Sequence, residues 1–433
     1  MSGDLSELEA RTTKKVFWRI IPLCFVLYVI SYIDRTSISY AALQMTEDMG
    51  LTSKVFGFAT GVFFLGYFLF EVPSNIALVR LGSRIWLTVL LLTWGTVNVL
   101  TGFVQERWQL HTLRFLLGMT EAGFFPGLII YVTYWFRAKG QATTIAILVA
   151  AIPVSSLIGA PLSTFIMEQM DHVAGMRGWR WMFVMEGLPA VLGGFACWFL
   201  LTDRPSKAKW LKPEERDWLE GEIAAERTGQ TQVKSLNTLK AITDPGVLYL
   251  SIVFFIYQCG SFGVTYWMPQ LIKSLAGQLS TSQIGLVAMI PYAAATAAMV
   301  FWSKRSDRKG ERKMHAALPV LLSAVALGLA PLVPGAVWGV GFISLSMAGL
   351  YAFRGPFWSM PSLFLTRSAA AISIAAINSV GNLGGFVGPY AIGAINDKTG
   401  DPMVALFLLS ALLAVAFVMI ALARLPGRVA TAT

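Results

Sequence analysis

The chain has 433 residues, 55% hydrophobic and only 13% charged, with a mean hydropathy of +0.62. A soluble domain carries about 25% charged residues, so this composition suits lipid rather than water as the main solvent. The net charge of +10 would fit a nucleic-acid binder only if the basic residues gathered on one surface, and their distribution along the chain excludes that.

Twelve apolar stretches follow one another, at about 16–41, 54–79, 85–104, 109–136, 141–167, 179–201, 246–272, 282–303, 314–333, 336–365, 369–396 and 402–423. About 20 apolar residues cross a bilayer, and a backbone with no water to bond must there be helical. The expected fold is therefore an all-α membrane protein of twelve transmembrane helices. The first stretch is too long for a signal peptide, carries Asp34-Arg35 and has no small-residue cleavage site behind it. Basic residues concentrate in the N-terminal arm and alternate connections: Arg11, Lys14, Lys15 and Arg19, then Arg80 and Arg84, then Arg137 and Lys139, with six in 304–313 and eight from Arg204 to Lys240. The opposite connections hold few, among them Lys54, Arg107, Arg177, Arg180, Lys273 and Lys398. The positive-inside rule places both termini in the cytoplasm, so the basic balance reports topology and not nucleic acid.

Residues 203–245 break the apolar pattern. Asp203-Arg204-Pro205 ends the sixth stretch, and Pro213 suits the first turn of a short helix with Glu214 and Glu215 at its positive end. Trp218, Leu219 and Ile223 make a brief apolar stripe, and the segment reads chiefly as a solvated connector. The expected organisation is a six-helix bundle over 1–202, a cytoplasmic linker over 203–245 and a second six-helix bundle over 246–433. An internal repeat supports it. Arg80-Leu81-Gly82-Ser83-Arg84 and Arg308-Lys309-Gly310-Glu311-Arg312 share an R-x-G-x-R core 228 residues apart, and Ala160-Pro161 meets Gly388-Pro389 at the same offset. Parallel half-repeats around a central site are a transporter architecture.

The chemistry lies in charges within the apolar stretches: Asp34, Glu71, Glu121 and Glu186, with Arg35, Arg114 and Arg354. Such a group costs about 2.5–3.5 kcal/mol at the bilayer centre on insertion scales and is a functional-site candidate by default. Arg114 and Glu121 are seven residues apart, nearly two turns, and so share a helix face. Cations and carboxylates on one face can hold an anionic ligand and a proton. Cys24, Cys197 and Cys259 each stand alone in a stretch, and His111, His172 and His315 are scattered. Neither disulfide nor zinc spacing is present, nor a phosphate-binding glycine loop. No cofactor is expected beyond a proton gradient, and no enzyme: no nucleophile–base constellation occurs in any loop.

The chain resembles the major facilitator superfamily over nearly its whole length. Asp307-Arg308-Lys309-Gly310 matches that family's loop signature apart from its leading glycine, while in the first half Asn75 and Val79 stand where glycine and an acid are usual. Glu71-Val72-Pro73-Ser74-Asn75 looks like the anion:cation symporter branch, the tartrate, phthalate and related permeases. So do Tyr32-Ile33-Asp34-Arg35, Arg114 to Gly118, Glu121 to Gly127, Trp181 to Gly187, Gly355-Pro356-Phe357-Trp358 and Ile377 to Gly385. The resemblance implies a proton-coupled symporter importing a small organic anion by alternating access in a bacterial inner membrane, as a monomer. A tartrate- or phthalate-like dicarboxylate leads, ahead of hexonates and aromatic monocarboxylates. Proton-driven drug efflux and a non-transporting receptor are lesser alternatives.

On that reading Arg35 and Arg114 contact the substrate carboxylate, and Asp34 and Glu121 carry protons. Tyr67 donates a hydroxyl, and Asn378 or Asn382, four apart among glycines, faces the cavity. Arg354, in the opposite half and not expected from the family pattern, either engages a second carboxylate or serves as a partner for a membrane acid or as a gate. Glu71 joins an inner gate with Arg84 or Arg137, and Asp307 and Arg308 form the loop gate. The plainer alternatives are a charge network that locks helix packing for Asp34 and Arg35, interhelical bonding for the asparagines, a structural role for Glu186, and ordinary packing for Tyr67 and for Tyr257, Tyr266 and Trp267.

Overall fold

The computed structural model describes residues 2–230, 243–361 and 367–423. The expected linker residues 231–242 and the end of the tenth stretch, 362–365, lie outside them. The described helices are α1 (Ser2–Asp48), α2 (Ser53–Leu81), α3 (Ser83–Thr101), α4 (Arg107–Glu121), α5 (Phe124–Trp135), α6 (Ala138–Val149), α7 (Ala151–Gln169), α8 (Gly178–Leu200), α9 (Pro213–Gln230), α10 (Pro245–Leu275), α11 (Thr281–Lys309), α12 (Lys313–Leu329), α13 (Ala336–Trp358), α14 (Arg367–Asn382), α15 (Gly384–Thr399) and α16 (Ala405–Leu422). Ten crossings are long and apolar enough to span a membrane. The shorter α12 and the broken pair α14–α15 complete a twelve-helix fold.

Three stretches that read as single spans are broken, and in two of them proline explains the break. Pro126 has no N–H for the carbonyl of Ala122, so the fourth span divides into α4 and α5 immediately after Glu121. Pro153 likewise cannot bond Val149, and the fifth divides into α6 and α7. The eleventh bends at Leu383, among Gly381, Gly384 and Gly385.

In the first half α3 packs on α8, α2 on α4, and α1 on α7 and α8; in the second, α11 and α12 pack on α13, α12 on α16, and α10 on α14 and α15. The two sets meet where α15 lies on α2, α11 on α7 and α10 on α1. The repeat is visible in these contacts, because α2 and α11 are both 29 residues long and start 228 residues apart. Each begins with a carboxylate from the other half. Asp397 on α15 accepts from the N–H groups of Ser53 (2.7 Å) and Lys54 (3.1 Å), and Glu168 on α7 accepts from Ser282 N–H (2.7 Å). The positive end of a helix favours such a group. A glycine sits one turn on in each. A Cβ at Gly57 would lie 2.6 Å from the Pro389 carbonyl oxygen, and one at Gly285 would strike the Thr164 hydroxyl.

Helix α9 corrects the solvated-connector reading for the part of the linker described. Glu214 pairs with Arg11 at 2.7 Å and Glu215 with Lys15 at 2.9 Å, while Arg137 reaches Glu222 at 2.9 Å and Glu226 at 3.4 Å. Leu219 and Ile223 are buried beneath it. The missing signal was the basic end of α1, four cations within one helix that need acidic partners.

Candidate functional site

Adjacent residues on a helix point about 100° apart, and Asp34 and Arg35 separate accordingly. Arg35 faces α4, where its Nε and Nη2 donate to one oxygen of Glu121 at 3.0 and 2.7 Å. The Ser31 hydroxyl, one turn earlier on α1, donates to the same oxygen at 2.8 Å. The other carboxylate oxygen, Oε2, is buried with no partner among the described residues. The Arg35 guanidinium lies 5.0 Å from the Tyr67 ring centre and 5.4 Å from that of Phe63, both on α2.

Arg114 approaches the same ring, its guanidinium 5.1 Å from the Phe63 centre. The residue is 0% exposed, and none of its three side-chain nitrogens has a hydrogen-bond partner among the described residues. The shared face expected for Arg114 and Glu121 does not bring them into hydrogen-bond contact; the Glu121 oxygen that is bonded pairs with Arg35 and Ser31. Cation–π attraction to phenylalanine supplies about 0.5–2 kcal/mol, well short of the several kcal/mol that desolvating a cation costs.

Asp34 turns the other way, into the bundle. Trp94 Nε1 donates to it at 2.9 Å and Asn98 Nδ2 at 3.0 Å, from successive turns of α3. No cation pairs with it among the described residues. Glu186 on α8 is similar: 4% exposed, bonded by the Ser163 hydroxyl at 2.5 Å, with its second oxygen unpartnered. Trp94, Asn98, Ser163, Ser31 and Phe63 were absent from the sequence reading. The polar pair Trp94 and Asn98, four apart in an apolar span, was the available signal.

Arg354 lies on α13 with its guanidinium 4.6 Å from the Tyr351 ring centre and its Nε 3.5 Å from the Tyr257 hydroxyl. That hydroxyl donates in turn to the Leu350 carbonyl at 2.5 Å. No carboxylate pairs with Arg354 among the described residues. Tyr266 on α10 donates to the Arg35 carbonyl at 3.4 Å, which ties the two halves together beside the first arginine.

The expected gate partners of Glu71 are corrected. Its Oε2 accepts from Ser379 on α14 at 3.0 Å, across the halves. Arg84 donates instead to the Trp198 carbonyl, and its backbone N–H to Asp203, while Arg137 is held by Glu9, Glu222 and Glu226. The physical reason is supply: α9 and the end of α8 bring acceptors to both arginines that lie nearer than Glu71. Asp307 pairs with Arg312 at 2.6 Å within its own loop, and Arg308 is exposed. Asn378 and Asn382 are half-buried on α14, the first adjacent to Ser379 and the second about one turn beyond it. Among the described residues no three histidine, cysteine or acidic side chains come together as metal ligands would.

Residues 24–389 match the Major Facilitator Superfamily. A protein of Agrobacterium vitis that bears the name of a tartrate transporter is 44% identical over 420 residues, 97% of this chain and 96% of its own. A quinolone resistance transporter of Acinetobacter baumannii is 36% identical, with 93% of each chain covered. In fold, the chain resembles a bacterial homologue of the human lysosomal transporter Spinster in an inward-facing, unoccupied conformation, with a TM-score of 0.78 at 16% identity, covering 95% of this chain and 96% of that one. The twelve-helix chain is thus a membrane transporter, not an enzyme, and belongs to the Major Facilitator Superfamily.

Proposed function

We propose that this protein imports a small carboxylate with protons across the inner membrane of a bacterium, its termini in the cytoplasm. One observation carries the reading: Arg114 is fully buried and its guanidinium has no partner among the described residues. A buried cation without a counter-charge is destabilising, and a carboxylate matches the guanidinium fork with two charge-assisted bonds. Arg35, linked to Arg114 through the Phe63 ring, is the second contact for the same anion, and Tyr67 lines that side. Arg354 supplies a cation in the opposite half for a second carboxylate, which favours a dicarboxylate of the kind named for the Agrobacterium relative. Asn378 and Asn382 remain candidates for the wall between them.

Coupling follows from the Arg35–Glu121 pair. An anion that draws Arg35 away leaves Glu121 buried without its cation, and the acid then takes a proton. Equally, protonation of Glu121 frees Arg35 for the anion, so each ligand favours the other. Asp34, held only by the neutral donors Trp94 and Asn98, is the second proton carrier. Drug efflux is the other reading, favoured by the name of the Acinetobacter relative.

Proteoliposomes separate the two. An inward proton gradient should drive accumulation of tartrate above matched monocarboxylates, and Arg354→Ala should lose most of that preference while Arg114→Ala loses uptake altogether. Uptake driven only by an outward-directed exchange for protons, or no proton-dependent uptake of any acid, would reject import by symport.

A further inference from the structure

A second charged site lies away from the transport pathway, where α1 enters the bilayer. Arg11, Lys14, Lys15, Trp18 and Arg19 of α1 and Trp210 of the loop before α9 line an open cavity of about 650 Å³. Four cations thus surround one hollow. Two are neutralised, Arg11 by Glu214 and Glu215 and Lys15 by Glu215. Lys14 and Arg19 are exposed and make no hydrogen bond or ion pair among the described residues. The hollow therefore keeps about two unmatched positive charges on a wall that is otherwise aromatic.

Its setting selects the ligand. The apolar part of α1 starts at Val16, so the hollow lies at the level where headgroups meet the hydrocarbon. Trp18 is 66% exposed there, the position that amphipathic indoles occupy at a membrane surface. Two turns further along the same face Val26 is 53% exposed, with Pro22 half-buried between them. An apolar track thus leads from the cationic hollow along the outer surface of α1 into the bilayer. Trp210 is fixed as the floor by stacking on Trp135, with ring centres 5.4 Å apart and planes 18° from parallel. A free phosphate would use the cations and leave the track empty; a lipid uses both.

We infer that this hollow binds the headgroup of an anionic phospholipid, its phosphodiester between Lys14 and Arg19 and one acyl chain along Trp18, Pro22 and Val26. Because Arg11 and Lys15 reach from the rim of the hollow to α9, the bound lipid would also brace the helix that follows the sixth span.

Native mass spectrometry of the purified full chain tests this, with phosphatidylglycerol as ligand, phosphatidylcholine as the neutral lipid and glycerol 3-phosphate as the headgroup without chains. Each basic residue near a membrane surface is worth about fivefold in affinity, so Lys14→Gln with Arg19→Gln should weaken phosphatidylglycerol binding about thirtyfold. A control pair at the basic C-terminal end of α11, Lys304→Gln with Lys309→Gln, should leave it within about twofold. The four side chains are exposed, so both proteins are expected to fold; equal melting temperatures check that. Unchanged affinity in the first pair, an equal loss in the control, or equal affinity for phosphatidylcholine would overturn the site. Glycerol 3-phosphate bound as tightly as the lipid would overturn the lipid as its occupant.

Discussion

Arg35 and Arg114 lie within reach of one aromatic ring, Phe63, yet among the described residues only Arg35 has a counter-charge. Sequence marked both, because an arginine in an apolar stretch stands out whatever its rotation. It could not say which of them Glu121 would hold, since that depends on the facing of α1 against α4. The same limit explains Glu71, whose partner is Ser379 in the other half rather than Arg84 or Arg137. The pairing yields a prediction: Glu121→Gln should keep exchange of external for internal substrate and lose accumulation driven by a proton gradient, measured as counterflow against uphill uptake. Loss of both would mean that Glu121 serves binding rather than coupling. Outside the membrane, burial pushes the Glu215 carboxyl up, but the Lys15 ammonium, the Lys212 N–H and Arg11 outweigh it and hold the group below the ordinary glutamate value of 4.5. A lowered acid stabilises the fold fully above its unfolded value, and the contribution disappears as pH falls through the lower folded value. Docking of α9 should therefore hold at neutral pH and weaken as pH falls below 4.5 towards the lower folded value, read as protease sensitivity of the linker. In Glu215→Gln that sensitivity should be raised at neutral pH and its acid step diminished.

The helices were legible as apolar stretches, but the elements that matter for closure are their ends. Asp397 caps α2 and Glu168 caps α11, each from the opposite half. Nothing local marks these acids, because their partners are backbone N–H groups well over 100 residues away. The breaks after Glu121 and Val149 were readable from Pro126 and Pro153, four residues beyond carbonyls that they cannot satisfy. A helix cap is worth about 0.5–2 kcal/mol, so losing both inter-half caps should move the balance between closed and open at this end roughly tenfold or more. Spin labels at Gln105→Cys and Gln278→Cys, on the same side of the two halves, would report it. Asp397→Asn combined with Glu168→Gln should add a longer-distance population; an unchanged distribution would make the caps incidental to closure.

At the scale of the whole molecule, the sequence offset of 228 residues reappears as physical symmetry. Helices α2 and α11 have the same length, a glycine at the same turn and a carboxylate cap from across the interface. Hydropathy conveyed the number of crossings, since that depends on composition alone. What composition could not convey is which half supplies each wall. The arginines divide unequally: Arg35 and Arg114 belong to the first half and Arg354 to the second, with Tyr266 joining them. An anion held by both halves would stabilise the occluded state between inward and outward forms, which is what alternating access requires of its substrate.

The central claim is that Arg114 is kept buried and unpaired to receive a carboxylate. Replacing it by methionine, of similar reach and no charge, separates that role from a structural one. Removing an uncompensated buried cation should leave the ligand-free melting temperature unchanged or higher, while tartrate binding by calorimetry falls by about 2–3 kcal/mol, roughly 30- to 150-fold. A fold that Arg114→Met destabilises, or tartrate bound as tightly as by the unaltered protein, would contradict the account.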